Sequence, residues 1–137
     1  MRRPGQSRPM LRIFLVEDSI SVRRGLAALI GPIEGVEIVG VAEEPRAALA
    51  GIAAKHADFV IVDLRLTGGS GLEVISGLAR NSPPVITMLL TNYSGKGYRE
   101  ACMLAGASYF FDKTTEFDLA LSVIKRIAVE HQAGTAG

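Results

Sequence analysis

One pattern, used twice, constrains this chain more than any other: an apolar run that ends in acid. Phe59-Val60-Ile61-Val62 runs into Asp63 and then into Leu64-Arg65-Leu66-Thr67-Gly68-Gly69-Ser70-Gly71. Ile13-Phe14-Leu15-Val16 runs into Glu17-Asp18. Continuous apolar runs of this length, bounded by turn residues, read as strands buried on both faces of a parallel sheet. In open α/β sheets the carboxyl ends of such strands form the ligand crevice. Two neighbouring parallel strands therefore bring Glu17, Asp18 and Asp63 together. Three carboxylates in one crevice repel unless a cation joins them, and hard oxygen donors suit magnesium.

The rest of the chain repeats a strand–helix alternation. The first strand, Leu11 to Val16, is followed by a helix with Val22, Leu26, Leu29 and Ile30 at helical spacing, stopped by Gly31-Pro32. A second strand covers Val36 to Ala42. The second helix spans about Pro45 to Lys55, with Pro45 in the first turn, where its missing N–H is harmless. After the third strand, Ser70-Gly71-Leu72-Glu73 is a capping-box pattern that starts the third helix, which ends near Asn81-Ser82-Pro83-Pro84. A fourth strand, Val85 to Leu90, ends in Thr91. The loop Asn92 to Gly97 leads to a short fourth helix, closed by Gly106. A fifth strand, Ser108 to Phe111, precedes Asp112-Lys113. The fifth helix aligns Phe117, Leu121, Ile124 and Ala128.

Five strands alternating with five helices predict a doubly wound, five-stranded parallel sheet: a flavodoxin-like α/β sandwich. The expected organisation is a flexible arm over residues 1–10, one domain over 11–130 and a disordered tail over 131–137. At 137 residues, with nearly half of them hydrophobic, one domain with a substantial core is the natural outcome. A formal net charge of +1, without a basic stripe, predicts no direct nucleic-acid partner. No segment approaches the length of a membrane span, Leu11 to Val16 is too short and too interrupted by Arg12 to read as an export signal, and Cys102 is the single cysteine. The expectation is a cytoplasmic protein without a disulfide, with Cys102 a small core residue and His56 a surface residue.

The strand ends supply a set with a chemical logic. A magnesium ion on the acids offsets their charge and holds an incoming phosphoryl group. Ionised Asp63 is a nucleophile able to form an acyl phosphate. Thr91 can donate to a phosphoryl oxygen, and Lys113 supplies a paired point charge.

With these residues in view, the chain resembles the receiver domain of two-component response regulators. The likeness runs from about Leu11 to Ala128. It rests on the acidic pair Glu17-Asp18, the DLxLxGxxGLE segment from Asp63 to Glu73, Thr91 after the fourth strand, and GAxxFxxK from Gly106 to Lys113. The resemblance implies that Asp63 is the phosphoacceptor, with Thr91 and Lys113 assisting. Magnesium would be held by Asp18, Asp63 and the Arg65 backbone carbonyl, with Glu17 acting through water. Thr91 and Phe110 would form the switch pair, while Tyr109 points to the opposite face of its strand. It further implies a phosphoacceptor switch and not an enzyme, apart from slow autodephosphorylation. Its donor would be a sensor histidine kinase or histidine phosphotransfer protein, docking near Arg23 and Arg24.

Output is expected to pass through an unidentified partner, because no helix-turn-helix, cyclase or methylesterase segment follows Glu130. The contact surface would carry Tyr98, Arg99, Tyr109 and Lys125, and a homodimer is compatible with it. The chain reads equally as a stand-alone regulator or as the receiver part of a longer protein.

Four departures from the family pattern carry expectations of their own. Thr67 stands where Pro is common, which predicts a looser turn after Asp63. Thr114 follows Lys113 where Pro is usual. In the family that bond is cis, and a cis bond before Thr costs about 3 kcal/mol more than trans. Either the Lys113–Thr114 bond is strained or Lys113 approaches the site differently. Asn92 replaces a small residue beside the phosphate, so it either crowds the site or hydrogen-bonds in it. Arg65 and Tyr93 are large where side chains shape water access, which predicts a slowly hydrolysed phosphoaspartate.

Two enzyme-like rivals fail on residues. A haloacid-dehalogenase-type phosphatase needs Asp-x-Asp-x-Thr, and the second aspartate is Arg65 here, leaving no general acid and base. A phosphate loop ending at Gly95-Lys96 lacks its first glycine, with Leu90 there, and its Ser or Thr, with Gly97 there. A phosphate-independent, receiver-like interaction module remains the alternative from another class.

Overall fold

The computed structural model describes residues 9–81 and 84–134. The first apolar run is strand β1 (Leu11–Val16), and Ser19 then caps helix α1 (Ile20–Ile30) by accepting from the Val22 backbone N–H. Pro32 cannot continue the helical hydrogen-bond ladder, so α1 stops there. Strand β2 (Val36–Ala42) leads to α2 (Pro45–Ala54), where the Glu44 carboxylate caps the Ala47 N–H and Pro45 opens the helix. The second apolar run is β3 (Phe59–Val62). Next come two short strands, β4 (Arg65–Leu66) and β5 (Gly69–Ser70), and then α3 (Gly71–Leu78). The chain closes with β6 (Ile86–Thr91), α4 (Lys96–Leu104), β7 (Tyr109–Asp112) and α5 (Phe117–Gly134).

The main sheet is parallel with strand order β2-β1-β3-β6-β7. This is the predicted doubly wound sandwich. Alternation along each strand divides the core between its faces. Ile13, Leu15, Phe59, Ile61, Met88 and Leu90 pack under α1 and α5. Phe14, Val16, Val60, Val62, Leu89 and Phe110 pack under α2, α3 and α4. Each of the larger side chains buried here contributes about 1.5–3 kcal/mol over its exposed state. Together they fix the sheet edge on which the acids stand. The edge lies where the chain order reverses, with β1 between β2 and β3.

Several boundaries differ from expectation. The last two sheet strands each run one residue further, so that Thr91 and Asp112 are partners across the β6–β7 ladder. Leu29, placed by its spacing on the helix's apolar face, is exposed. The capping box at Ser70 and Glu73 forms as predicted, but α3 ends at Leu78. Ser82 and Pro83 lie outside the described residues, as do residues 1–8 of the predicted arm.

The tail expected from residue 131 is corrected, because α5 continues to Gly134. Tertiary contact supports that extra turn. The Gln132 side chain lies over Gly35, and His131 Nε2 stands 3.8 Å from Asp58 Oδ2. Residues 135–137 lie outside the described residues.

The β4–β5 hairpin was not foreseen as such. Arg65 pairs with Ser70 and Leu66 with Gly69, and Gly68 takes the left-handed conformation (φ +72°) that closes the turn. Thr67 therefore sits in the two-residue turn of a hairpin.

Candidate functional site

Parallel pairing of β1 with β3 places the chain after Val16 beside the chain after Val62, and the Asp63 N–H donates to the Val16 carbonyl at 3.0 Å. The ladder between β6 and β7 does the same for Thr91 and Lys113, whose backbone N–H donates to the Thr91 carbonyl at 3.0 Å. From there the Lys113 side chain reaches back across the crevice. Its Nζ donates to Glu17 Oε1 at 2.5 Å and to Asp63 Oδ2 at 2.7 Å. The lysine is the cation that joins two of the three acids.

Each carboxylate is held differently. Glu17 is buried at 3% exposure, and its other oxygen accepts from the Ser19 N–H at 3.1 Å. Burial pushes the Glu17 pKa up, and the Lys113 ammonium and the Ser19 N–H offset only part of that rise. Burial pulls the Lys113 pKa down, but its hydrogen bonds and charge contacts with Asp63 and Glu17 outweigh this, and the net shift is upward. Asp63 Oδ1 accepts from the Leu64 N–H at 2.7 Å. Asp18 is exposed at the rim, and the Thr67 hydroxyl donates to its Oδ2 at 3.3 Å. The side chain at the position of the missing proline thus tethers the hairpin to the acidic pair.

Thr91 is fully buried, and its hydroxyl oxygen accepts from the Tyr93 N–H at 3.2 Å. Phe110 is buried in the core on the α4 side, while Tyr109 packs on the opposite face, as the strand alternation required. Arg65 extends over the Tyr93 ring, with its guanidinium carbon 4.3 Å from the centroid, and Tyr93 meets Tyr98 edge-on at 6.1 Å. Asn92 does hydrogen-bond: its carboxamide oxygen accepts from the Thr114 hydroxyl at 3.4 Å. Two departures from the family pattern therefore face each other.

The turn after β7 is organised by Asp112, a residue the sequence reading passed over. Its Oδ1 accepts from the Thr114 and Thr115 N–H groups at 2.7 and 3.0 Å, and its Oδ2 accepts from the Ser94 hydroxyl. A proline at position 114 would lack the first of these donors. Lys113 reaches Asp63 from a turn built on a carboxylate. The sequence signal was Asp followed at short range by two threonines, an Asx-turn pattern.

These bonds hold the Asp112 pKa down at about 2, the Ser94 hydroxyl foremost and then the Thr115 and Thr114 amides. A depressed carboxylate contributes stability above its unfolded value of 3.8 and loses it as pH falls through about 2. Asp112→Asn is therefore expected to flatten the acid limb of stability between about pH 4 and pH 2, read by urea titrations across that range. An unchanged limb would assign it to other groups.

Other expectations fare unevenly. Arg23 is committed to the Glu17 carbonyl and Glu43, both at 3.1 Å, whereas Arg24 is exposed. Cys102 is buried, and burial raises its thiol pKa, which fits a core residue and not a nucleophile. His56 is exposed, in a left-handed backbone conformation after α2. No helix among the described residues is long and apolar enough to cross a membrane.

Fold and site together define a doubly wound α/β domain with a lysine-joined acidic crevice at its topological switch point. The chain belongs to the response regulator receiver domain family, whose model matches residues 13–125. It is 35% identical over 104 residues to the DNA-binding transcriptional activator DevR/DosR of Mycobacterium tuberculosis, covering 76% of this chain and 48% of that one. It is 28% identical over 118 residues to the response regulator UvrY of Escherichia coli, covering 86% and 54%. A solved two-component response regulator of the LuxR family from Aurantimonas sp. superposes with a TM-score of 0.81 at 25% identity, covering 90% of this chain and 88% of that one. The chain spans about half the length of the curated relatives it matches. Receiver domains are, as a family, phosphoacceptor switches that work with kinases or phosphotransfer proteins.

Proposed function

We propose that this receiver domain takes a phosphoryl group from a phosphohistidine onto Asp63 and signals through a rearrangement that starts at Thr91 and Phe110. The observation that carries the proposal is the position of Lys113 Nζ, 2.7 Å from Asp63 Oδ2 at the carboxyl edge of the sheet. An Asp63 oxygen forms the new O–P bond as the P–N bond to the donor imidazole breaks, and the electron pair leaves with the nitrogen. Lys113 stays beside the carboxylate and pairs with the phosphoryl charge as it arrives. The Thr91 hydroxyl, now accepting from Tyr93, has its proton available for a phosphoryl oxygen. Drawing it there loosens the loop that carries Tyr93.

Magnesium belongs to this reading through donor chemistry. Asp18, Asp63 and the Arg65 carbonyl are hard oxygen donors at the crevice, with Glu17 acting through water. Among the described residues no three His, Cys, Asp or Glu side chains stand together as a metal-binding group, and Lys113 Nζ lies between Glu17 and Asp63, so magnesium rests on the donor types alone. When bound it would supply positive charge to the phosphoryl oxygens.

Acetyl phosphate is expected to label the protein with magnesium present and to fail after chelation. Arg65 and Tyr93, in the segments after β3 and β6, stack on each other, and with large side chains at these two positions the adduct is expected to persist well beyond seconds. Loss of the label within seconds contradicts that part. No adduct from acetyl phosphate or from a phosphohistidine donor would favour the phosphate-independent interaction module. The donor is a sensor histidine kinase or a histidine phosphotransfer protein, and the output partner is reached through the α4–β7–α5 face. The charge argument against direct nucleic-acid contact concerns this segment alone, since DevR/DosR is a DNA-binding activator about twice the matched length.

A further inference from the structure

We infer that the groove between the β4–β5 hairpin and α4 is a docking site for an acidic, apolar segment of a partner protein, with Arg65 as its charge anchor. The groove has a volume of about 350 Å³. Leu64, Leu66 and Leu72 give it an apolar wall, Tyr98 comes to it from α4, and Arg65 lines it as an exposed side chain. That size is at the small end for ligand pockets and suits the side chains of a docked segment. Tyr98 is 44% exposed, so the aromatic part of the lining is open to a partner.

Charge decides the occupant. Arg12, Arg23, Arg99 and Arg126 each meet a glutamate at 3.1–3.4 Å. Arg65 does not: among the described residues its guanidinium has neither a carboxylate partner nor a hydrogen-bond acceptor. Nor is it loose in solvent. Its carbon lies 4.3 Å from the Tyr93 centroid, and Tyr93 is braced edge-on by Tyr98. Stacking fixes a guanidinium and leaves its edge N–H groups free, the arrangement that takes a carboxylate in two parallel bonds. The occupant that fits has a carboxylate for Arg65 and aliphatic or aromatic side chains for the leucine wall. A basic segment is repelled, and a purely apolar one covers the guanidinium without pairing it. Nucleic acid needs open aromatic faces in a basic groove, whereas Arg65 covers one face of Tyr93 and leucines form the wall.

The inference uses no property of Asp63 and stands apart from the phosphoacceptor reading. Its test pans the full chain against a random dodecapeptide phage library. The recovered peptides are synthesised, and their affinity is measured by calorimetry for wild type, Arg65→Met, Arg65→Lys and the control Arg46→Met. Arg65 and Arg46 are both exposed, so the variants are expected to fold, which circular dichroism checks. The peptides are expected to carry Asp or Glu beside aliphatic or aromatic residues and to shift the amide resonances of Leu66, Leu72 and Tyr98. Arg65→Met should weaken binding about tenfold, Arg65→Lys less, and Arg46→Met not at all. Replacing the peptide's acid by its amide should cost about tenfold against wild type and nothing against Arg65→Met, a coupling that lost packing alone does not give. Acid dependence that persists in Arg65→Met, peptides without an acid, shifts confined to other residues, or an empty selection overturns the inference. So does tighter binding of oligothymidine at the same residues.

Discussion

Lys113→Met is expected to lose about 3 kcal/mol of folding stability at pH 7.5, because it leaves buried Glu17 and neighbouring Asp63 without their shared cation. The side chains of Lys113 and Glu17 are 15% and 4% exposed, so solvent screening offsets little of the loss. The cost should shrink on acidification, since burial already raises the Glu17 pKa and a protonated Glu17 no longer needs a counter-charge. Adding Glu17→Gln to Lys113→Met should recover part of the deficit at pH 7.5.

The wild-type signs follow from linkage. The raised Lys113 pKa keeps its contribution fully in place below 10.5 and removes it as pH climbs through the higher folded-state value. The raised Glu17 pKa acts in the other direction on the acid side: its contribution is present below 4.5 and lost as pH rises through the folded value. Urea denaturation of both variants at pH 5 and 7.5 checks the account. A pH-independent loss would mean that Lys113 acts by packing and not by charge.

Gly71→Ala is the second large effect. A Cβ there would lie 2.3 Å from the Asp63 carbonyl oxygen and 3.2 Å from Leu64 Cα. Both are backbone atoms, so no side chain can swing aside. Gly71 also donates to the Leu64 carbonyl at 2.7 Å, pinching together the chain before and after the β4–β5 hairpin. The expected cost is about 3 kcal/mol, the upper end for forced overpacking. Asp63 is displaced with its carbonyl, which should slow phosphorylation by roughly tenfold or more. Gly25→Ala is the control: a Cβ there meets nothing within 4 Å, and inside α1 the change should stabilise by about 0.5–1 kcal/mol. Equal stability for both variants would remove the steric account.

The parts of this site visible in the sequence were those encoded by residue type at a strand end. Glu17, Asp18, Asp63, Thr91 and Lys113 each follow an apolar run, and the parallel ladders bring those run ends to one edge. What escaped depended on partners far along the chain. Arg99 reads as part of a contact surface, but its bonds to the Phe110 carbonyl and to Glu116 show only once β7 and the turn before α5 are beside it. The last turn of α5 looks too polar to persist, and Gly35 and Asp58 supply the surface it needs. Thr67 and Thr114 looked like losses of proline. Thr67 instead gives a hydroxyl to Asp18, and Thr114 gives an N–H to Asp112 and a hydroxyl to Asn92, bonds proline cannot make.

The most direct measurement is intact mass after incubation with acetyl phosphate and magnesium, wild type beside Asp63→Ala. One added phosphoryl group on wild type and none on Asp63→Ala is the predicted result. An equal gain on both, or no gain on wild type even with a competent phosphohistidine donor, would contradict Asp63 as the phosphoacceptor.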